Sequence, residues 1–180
     1  MSFTLRLATL DDVPVLEELI PLSARELQRP YYTEDQIEGA IGTVFGVDTQ
    51  LIRDETYFVC EEEGRVVGCG GWSRRKSLYG GDKLSRRENA LLDPRRDPAR
   101  IRAFFVHPQR ARRGIGRSIM CACESAAEQM AFRRLEIVAT LAGEPLYTRF
   151  GYTVHERFEL ALPNAQFLPV VRMARATGVP

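Results

Sequence analysis

RARRGIGRSIM, Arg110 to Met120, decides how this chain is read. Four arginines crowd two glycines where an apolar helical pattern begins, with Ile115, Ile119, Cys123, Ala126/Ala127 and Met130 on one face. A helix start offers unpaired backbone N–H groups and the positive end of a dipole. Glycines there let a ligand approach the backbone, and the surrounding arginines point to an anion, a phosphorylated one above all.

Working outward, IRAFFV (101–106) reads as a strand ended by His107-Pro108, and RLEIVAT (134–140) as another. GEPLYTRFG follows as a short helix with Pro145 in its first turn and Gly151 as its stop. YTVHERFEL and QFLPVVRMAR close the chain as strands, and Pro169 should confine the last to an edge or a bulge. Upstream, TYFVCEEEGRVVGCGGW is an antiparallel hairpin turning at Glu62-Glu63-Gly64-Arg65. Residues 73–99 lack a period and read as a long loop, functional or mobile.

At the N-terminal end FTLRLAT is a strand. Thr9 or Asp11 can cap a helix striped by Val13, Leu16, Leu19/Ile20, Ser23 and Leu27, which Pro21 should kink or break. TEDQIEGAI opens a second helix with a capping box, Thr33 and Gln36. The order β-α-α-β-β-β-α-β-α-β-β predicts an α/β (α+β) fold without internal repeats.

The 180 residues suit one domain spanning 1–180, and 44% hydrophobic with 27% charged residues is ordinary for a soluble one. No apolar h-region opens the chain and no run approaches a membrane span, so a cytoplasmic protein with no membrane partner is expected. Cys121 and Cys123 do not face one another on a helix, and His107 and His155 are the only histidines. No metal is expected, and the four cysteines read as buried, unreactive thiols. A net charge of +1 hides an asymmetry of −9 over residues 1–73, +10 over 74–117 and 0 over 118–180. An anion therefore belongs near the middle of the chain, and any cation nearer its start.

Three phosphate cradles compete for the glycine loop. A dinucleotide fingerprint fails because Ile119 stands where its third glycine belongs, and a Walker A loop fails because the only lysines are Lys76 and Lys83. The third fits: FFVHPQRARRGIGRSIM, then a strand, then PLYTRFGY, resembles the GNAT superfamily of acyl-CoA-dependent N-acetyltransferases. The family's Q/R-x-x-G-x-G/A frame falls on Ala111-Arg112-Arg113-Gly114-Ile115-Gly116, with Ala111 departing at the first position. Arg110 and Arg112 are placed to supply the missing side chain. The later tyrosine element falls on Leu146-Tyr147-Thr148-Arg149-Phe150-Gly151-Tyr152, and the asparagine that many relatives carry before it is absent, with Thr140 roughly there.

The resemblance implies a mixed, mostly antiparallel sheet of about seven strands flanked by about four helices. It also implies acetyl-CoA as cosubstrate, its pyrophosphate on the N–H groups of Arg112 to Arg117 and its pantetheine arm along 101–106, near Phe104 and Val106. A backbone N–H near Val106 would polarise the acetyl carbonyl, and an amine would attack the thioester directly. Tyr147 is the implied general acid for the departing thiolate, with Phe150 and Tyr152 as packing. His107, which follows the cofactor strand and precedes a proline, reads either as the base or as a turn residue, Glu61, Glu62 and Glu63 sit at a hairpin turn, and in this family water often carries the proton. The segment ELQRPYY (26–32) and the loop 73–99 would border the pocket for a small-molecule or peptide amine, with Tyr31 and Tyr32 lining it. The acidic N-terminal part favours a cationic acceptor; the basic loop favours an anionic group or the nucleotide's 3′-phosphate.

Two other readings stand beside this one: an acyl-CoA-binding sensor without chemistry, and an arginine-rich nucleic-acid-binding domain. Near-zero net charge and the lack of a nucleic-acid motif speak against the latter. An edge strand at the C-terminus would permit a homodimer.

Overall fold

Glu63 and Gly64 both adopt positive φ, 52° and 74°. That is the two-residue turn a tight hairpin demands. It joins β2 (Tyr57–Glu62) to β3 (Arg65–Ser73) where the sequence places it. The computed structural model describes residues 3–85 and 87–178. Among them β1 (Thr4–Leu7), β2, β3, β4 (Ala99–Val106), β5 (Arg134–Thr140), β6 (Thr153–Ala161) and β7 (Phe167–Ala176) form one sheet. The strand order is β1-β2-β3-β4-β5-β7-β6. Every neighbour pair is antiparallel except β4 with β5.

The helices are α1 (Val13–Leu27), α2 (Glu34–Ala40), α3 (Thr49–Arg53), α4 (Ile115–Gln129) and α5 (Glu144–Arg149). One apolar layer gathers Leu16, Ile20, Ile37, Phe45, Leu160 and Val170; the other gathers Ile101, Ile119, Met120, Phe132, Leu135 and Met173. The sheet thus buries both faces, as a mixed sheet with crossover helices must.

Two features shape the middle of the sheet. Gly70 leaves room for its neighbours: a Cβ there would lie 2.8 Å from the Phe104 ring and 2.9 Å from Ile119. Opposite it β4 carries one extra residue, since Cys69 pairs with Phe105 but Gly71 pairs with Arg102. The bulge puts Ala103 at φ 56° and re-aims the strand. Next to it, β4 and β5 pair only at Ala99–Leu135 and Arg100–Glu136. Beyond those pairs the strands separate and a cleft opens.

Several expectations need correction. Pro21 does not break α1, which runs through it because Leu16, Leu19, Ile20, Ser23 and Ala24 are buried against the sheet. Pro169 does not make β7 an edge; β7 lies between β5 and β6, and β6 is the edge. The β5 ladder stops at Thr140–Val170, so at Pro169 the missing N–H interrupts no pairing with β5. The helix α3 went unread because its five residues carry too little periodicity. Cys60, Cys69 and Cys123 are buried as expected, but Cys121 is exposed on the outer side of α4.

The long loop is pinned rather than loose. Its two limbs return on each other through Lys76 N–H to Ala90 O, Ser77 N–H to Glu88 O and Leu92 N–H to Arg74 O. Part of the charge asymmetry is internal: Arg75 pairs with Asp54, Arg87 with Asp48 and Asp82, Arg102 with Asp48, and Arg110 and Arg113 with Glu62. Five arginines of the basic middle are thus held by carboxylates of the acidic start, which weakens the external-cation reading and the nucleic-acid alternative.

Candidate active site

The glycine loop begins as a single 3-10 turn, Pro108–Arg110, capped by His107, whose Nδ1 accepts from Gln109 N–H at 3.2 Å. Ala111 donates to Pro108 O at 3.2 Å, so its N–H is used inside the turn. Arg112 and Gly114 then take left-handed backbone, φ 65° and 89°. Alternation of this kind turns successive N–H groups to one side, forming a nest for an anion. Gly114 is the N-cap of α4 and carries no side chain to satisfy the first turn.

As a result, the backbone N–H groups of Arg112 through Arg117 have no protein acceptor among the described residues. A Cβ at Gly114 would meet nothing within 4 Å, and one at Gly116 only Leu146 Cδ2 at 3.4 Å. Packing therefore does not demand glycine at 116. The space in front of these N–H groups is what a side chain would fill.

The arginines divide into two sets. Arg110 and Arg113 both grip Glu62, a buried carboxylate at the end of β2, and fasten the loop to the hairpin. Arg110 is thus not available in place of the missing motif side chain. Arg112 and Arg117 are exposed and have no carboxylate partner among the described residues. They stand free beside the nest. Ile115 is buried against Gly68 and anchors the helix start.

From the nest the chain leads back into the cleft between β4 and β5, lined by Ile101 to Phe105, Ile137 to Thr140 and Tyr147. Phe104 stands edge-on to Tyr147 with ring centroids 6.2 Å apart, and Tyr147 stands edge-on to Tyr152 at 6.0 Å. Tyr147 is 4% exposed, and its hydroxyl makes no protein hydrogen bond among the described residues. Burial, with the Cys123 sulfur nearby, pushes its phenol well above the ordinary tyrosine range. It is a protonated, unbonded hydroxyl at neutral pH.

Val106 N–H points away from β3, because the neighbouring His107 N–H is the one that bonds Val67 O. It meets the hydroxyl of Ser23, a buried residue of α1, at 3.2 Å. Nothing in the helical stripe that contains Ser23 marks it as the partner of this donor.

Tyr31 and Tyr32 do not line the cleft. Tyr31 is exposed, while Tyr32 is buried, donating to Pro169 O at 2.6 Å and accepting from Leu141 N–H at 2.9 Å. Those bonds tie the α1–α2 connection to β5 and β7, and burial raises the Tyr32 phenol to about 12. No carboxylate or histidine lines the cleft either. Glu61 pairs with Arg6, Glu62 with Arg110 and Arg113, and His107 caps its own turn.

A split between β4 and β5, a bulge in β4 and an uncapped helix start at Gly114 are the features that set this sheet apart. The acetyltransferase (GNAT) domain family matches residues 53–154, and the chain belongs to that family. It is an acyltransferase of the acetyl-CoA-dependent N-acetyltransferase kind. A GCN5-related N-acetyltransferase from Rhodopseudomonas palustris shares the fold, at TM-score 0.72 and 18% identity over 98% of this chain and 96% of that one. PaiA N-acetyltransferase from Thermoplasma acidophilum, solved with coenzyme A, aligns at TM-score 0.65 and 12% identity over 98% and 99%. YncA from Salmonella typhimurium, solved with its cofactor acetyl-CoA, aligns at 0.64 and 17% over 100% and 96%. No curated protein matches the chain in sequence.

Proposed function

We propose that this protein transfers an acetyl group from acetyl-CoA to a primary amine by direct attack within a ternary complex. The observation that carries the reading is the run of unbonded N–H groups from Arg112 through Arg117 at the uncapped start of α4. Six unbonded donors, a helix dipole and the free Arg112 and Arg117 suit a pyrophosphate. The ligand supplies an activated thioester carbonyl.

The chain's own residues do the rest. The edge of β4 released by the split offers its backbone near Phe104 and Val106 to an extended ligand arm. Val106 N–H becomes a carbonyl donor once the Ser23 hydroxyl yields it, and a fixed donor at developing negative charge stabilises the transition state. The amine nitrogen forms the new C–N bond as the C–S bond breaks. Tyr147 gives its phenolic proton to the departing thiolate, and burial keeps that proton in place at neutral pH. With no base among the cleft residues, water takes the proton from the amine.

Thiol release from acetyl-CoA in the presence of a primary amine tests the reading. Amine-dependent release with mass gain of one acetyl group on the amine supports it. Coenzyme A binding without release by any amine would leave a sensor instead.

A further inference from the structure

The acceptor end of the cleft is electrically neutral. Its walls there are Gln28, Val44, Phe45, Leu78 and Tyr79, with Phe105 behind Phe45 at an edge-on centroid distance of 6.0 Å. No acidic side chain is among the lining residues, despite the acidity of the N-terminal segment. The one charged residue in the lining, Arg102, is used up: its guanidinium donates to Asp48 Oδ2 at 2.8 Å, Ser77 O at 2.8 Å and Gly80 O at 2.7 Å. Those bonds hold Leu78 and Tyr79 against β4, so the long loop serves the cleft as an apolar wall.

Within this wall Gln28 is unusual. Its backbone ends α1, donating to Ala24 O and accepting from Tyr31 and Tyr32 N–H. Its carboxamide makes no hydrogen bond to protein among the described residues, and Oε1 is buried without a partner. A buried carbonyl oxygen without a donor is costly, and the fold gains nothing from it. Rotation about the terminal amide torsion exchanges the oxygen and the nitrogen at little cost. A neutral group that can donate or accept, set in apolar walls, is what orients an uncharged ligand body.

We infer that the acceptor is a primary amine on an uncharged, apolar body, and that Gln28 is the residue that sets this specificity. The inference rests on the acetyltransferase reading above. A second cation would enter the chamber without a counter-charge, and a carboxylate would find Arg102 already paired; both lose their hydration for nothing in return. An apolar amine meets Phe45, Leu78 and Tyr79 and offers a hydrogen bond to Gln28.

The test is steady-state acetylation by the full chain at saturating acetyl-CoA, with tyramine and hexylamine set against cadaverine, spermidine and glutamate. The dissociation constant of acetyl-CoA is measured separately by calorimetry. For the native protein kcat/KM for the uncharged bodies should exceed that for the other three by about tenfold or more. Gln28→Glu, nearly isosteric, should shift the ratio of hexylamine to cadaverine about tenfold toward cadaverine while leaving acetyl-CoA affinity within about twofold. Gln28→Leu should raise KM for tyramine and leave acetyl-CoA affinity alone, which covers the case in which the glutamate variant folds poorly. Preference of the native protein for a polycation or for glutamate overturns the inference, as does an unchanged ratio in Gln28→Glu. So does a loss of acetyl-CoA affinity in Gln28→Leu, because the carboxamide would then serve the cosubstrate. No binding of acetyl-CoA to the native protein would instead remove the reading on which the inference rests.

Discussion

Arg100 and Glu136 are the last residues at which β4 and β5 still pair, and their side chains form an ion pair there. Glu136 is buried and also holds Arg172 of β7. Arg100 is lowered to about 10, first by burial and then by the Arg172 charge, so the carboxylate separates two guanidiniums that repel. The pair closes one end of the split; beyond it the strands part to form the cleft.

Removing that carboxylate should therefore destabilise the protein. Glu136→Gln leaves two neighbouring cations with no anion between them, a loss of about 3 kcal/mol. For a chain of this length that lowers Tm by roughly 6–12 °C. A melting curve decides it, and an unchanged Tm means the apex is held by the backbone alone.

Acid stability should depend on Asp54. Its hydrogen bonds from Arg75 hold the carboxyl below its ordinary 3.8. The folded state then binds fewer protons than the unfolded one between the folded value and 3.8, so stability rises with pH across that window. The contribution is whole above the unfolded value and is lost as pH falls through the folded one. Unfolding of the native chain and Asp54→Asn, followed from pH 2.5 to 6, should show a stability gap that is constant above about pH 5 and narrows below 3.8. A gap that widens on acidification contradicts the pairing.

Tyr147→Phe removes a hydroxyl that bonds to no protein group among the described residues, so Tm should scarcely move. If that hydroxyl protonates the thiolate, kcat falls by about a hundredfold or more while acetyl-CoA affinity holds. Equal turnover would pass the role to water.

Ser23→Ala frees Val106 N–H from its present partner. Acetyl-CoA, whose carbonyl can take that donor, should then bind several-fold tighter, an effect of about 1 kcal/mol. Free coenzyme A, which lacks the thioester carbonyl, should bind as before. Equal gains for both would place the carbonyl elsewhere.

Much of this architecture is local and was legible. The hairpin at Glu63-Gly64, the capping box of Thr33 with Gln36 (bonds of 3.2 and 3.0 Å) and the helix opening at Gly114 are set by neighbours in sequence. The N–H nest at the start of α4 and Tyr147 are legible from motif position, and Tyr147 lines the cleft between β4 and β5. What escaped is non-local. Nothing in IRAFFV or RLEIVAT says that the strands pair twice and then part, because the bulge depends on Gly70 across the sheet. The fate of the charges depended on pairs such as Arg102 with Asp48, 54 positions apart. Tyr32 looked like a pocket residue because its partners, Leu141 and Pro169, lie more than a hundred positions away. Ser23 sits in an ordinary amphipathic stripe and Gln28 at the helix end just after it, and their side chains acquire meaning only beside β4 and the cleft.

The central claim is that the open N–H groups at the start of α4 hold a phosphorylated cosubstrate, and calorimetric titration of coenzyme A into the native chain and Gly116→Glu tests it most directly. The space beside Gly116, bounded by Leu146 Cδ2 at 3.4 Å from a Cβ, lets the variant fold with nearly the native Tm. It also places a carboxylate where the phosphates belong. Binding by the native chain and none by the folded variant is the predicted result. No binding by the native chain, or equal binding by both, would contradict the account.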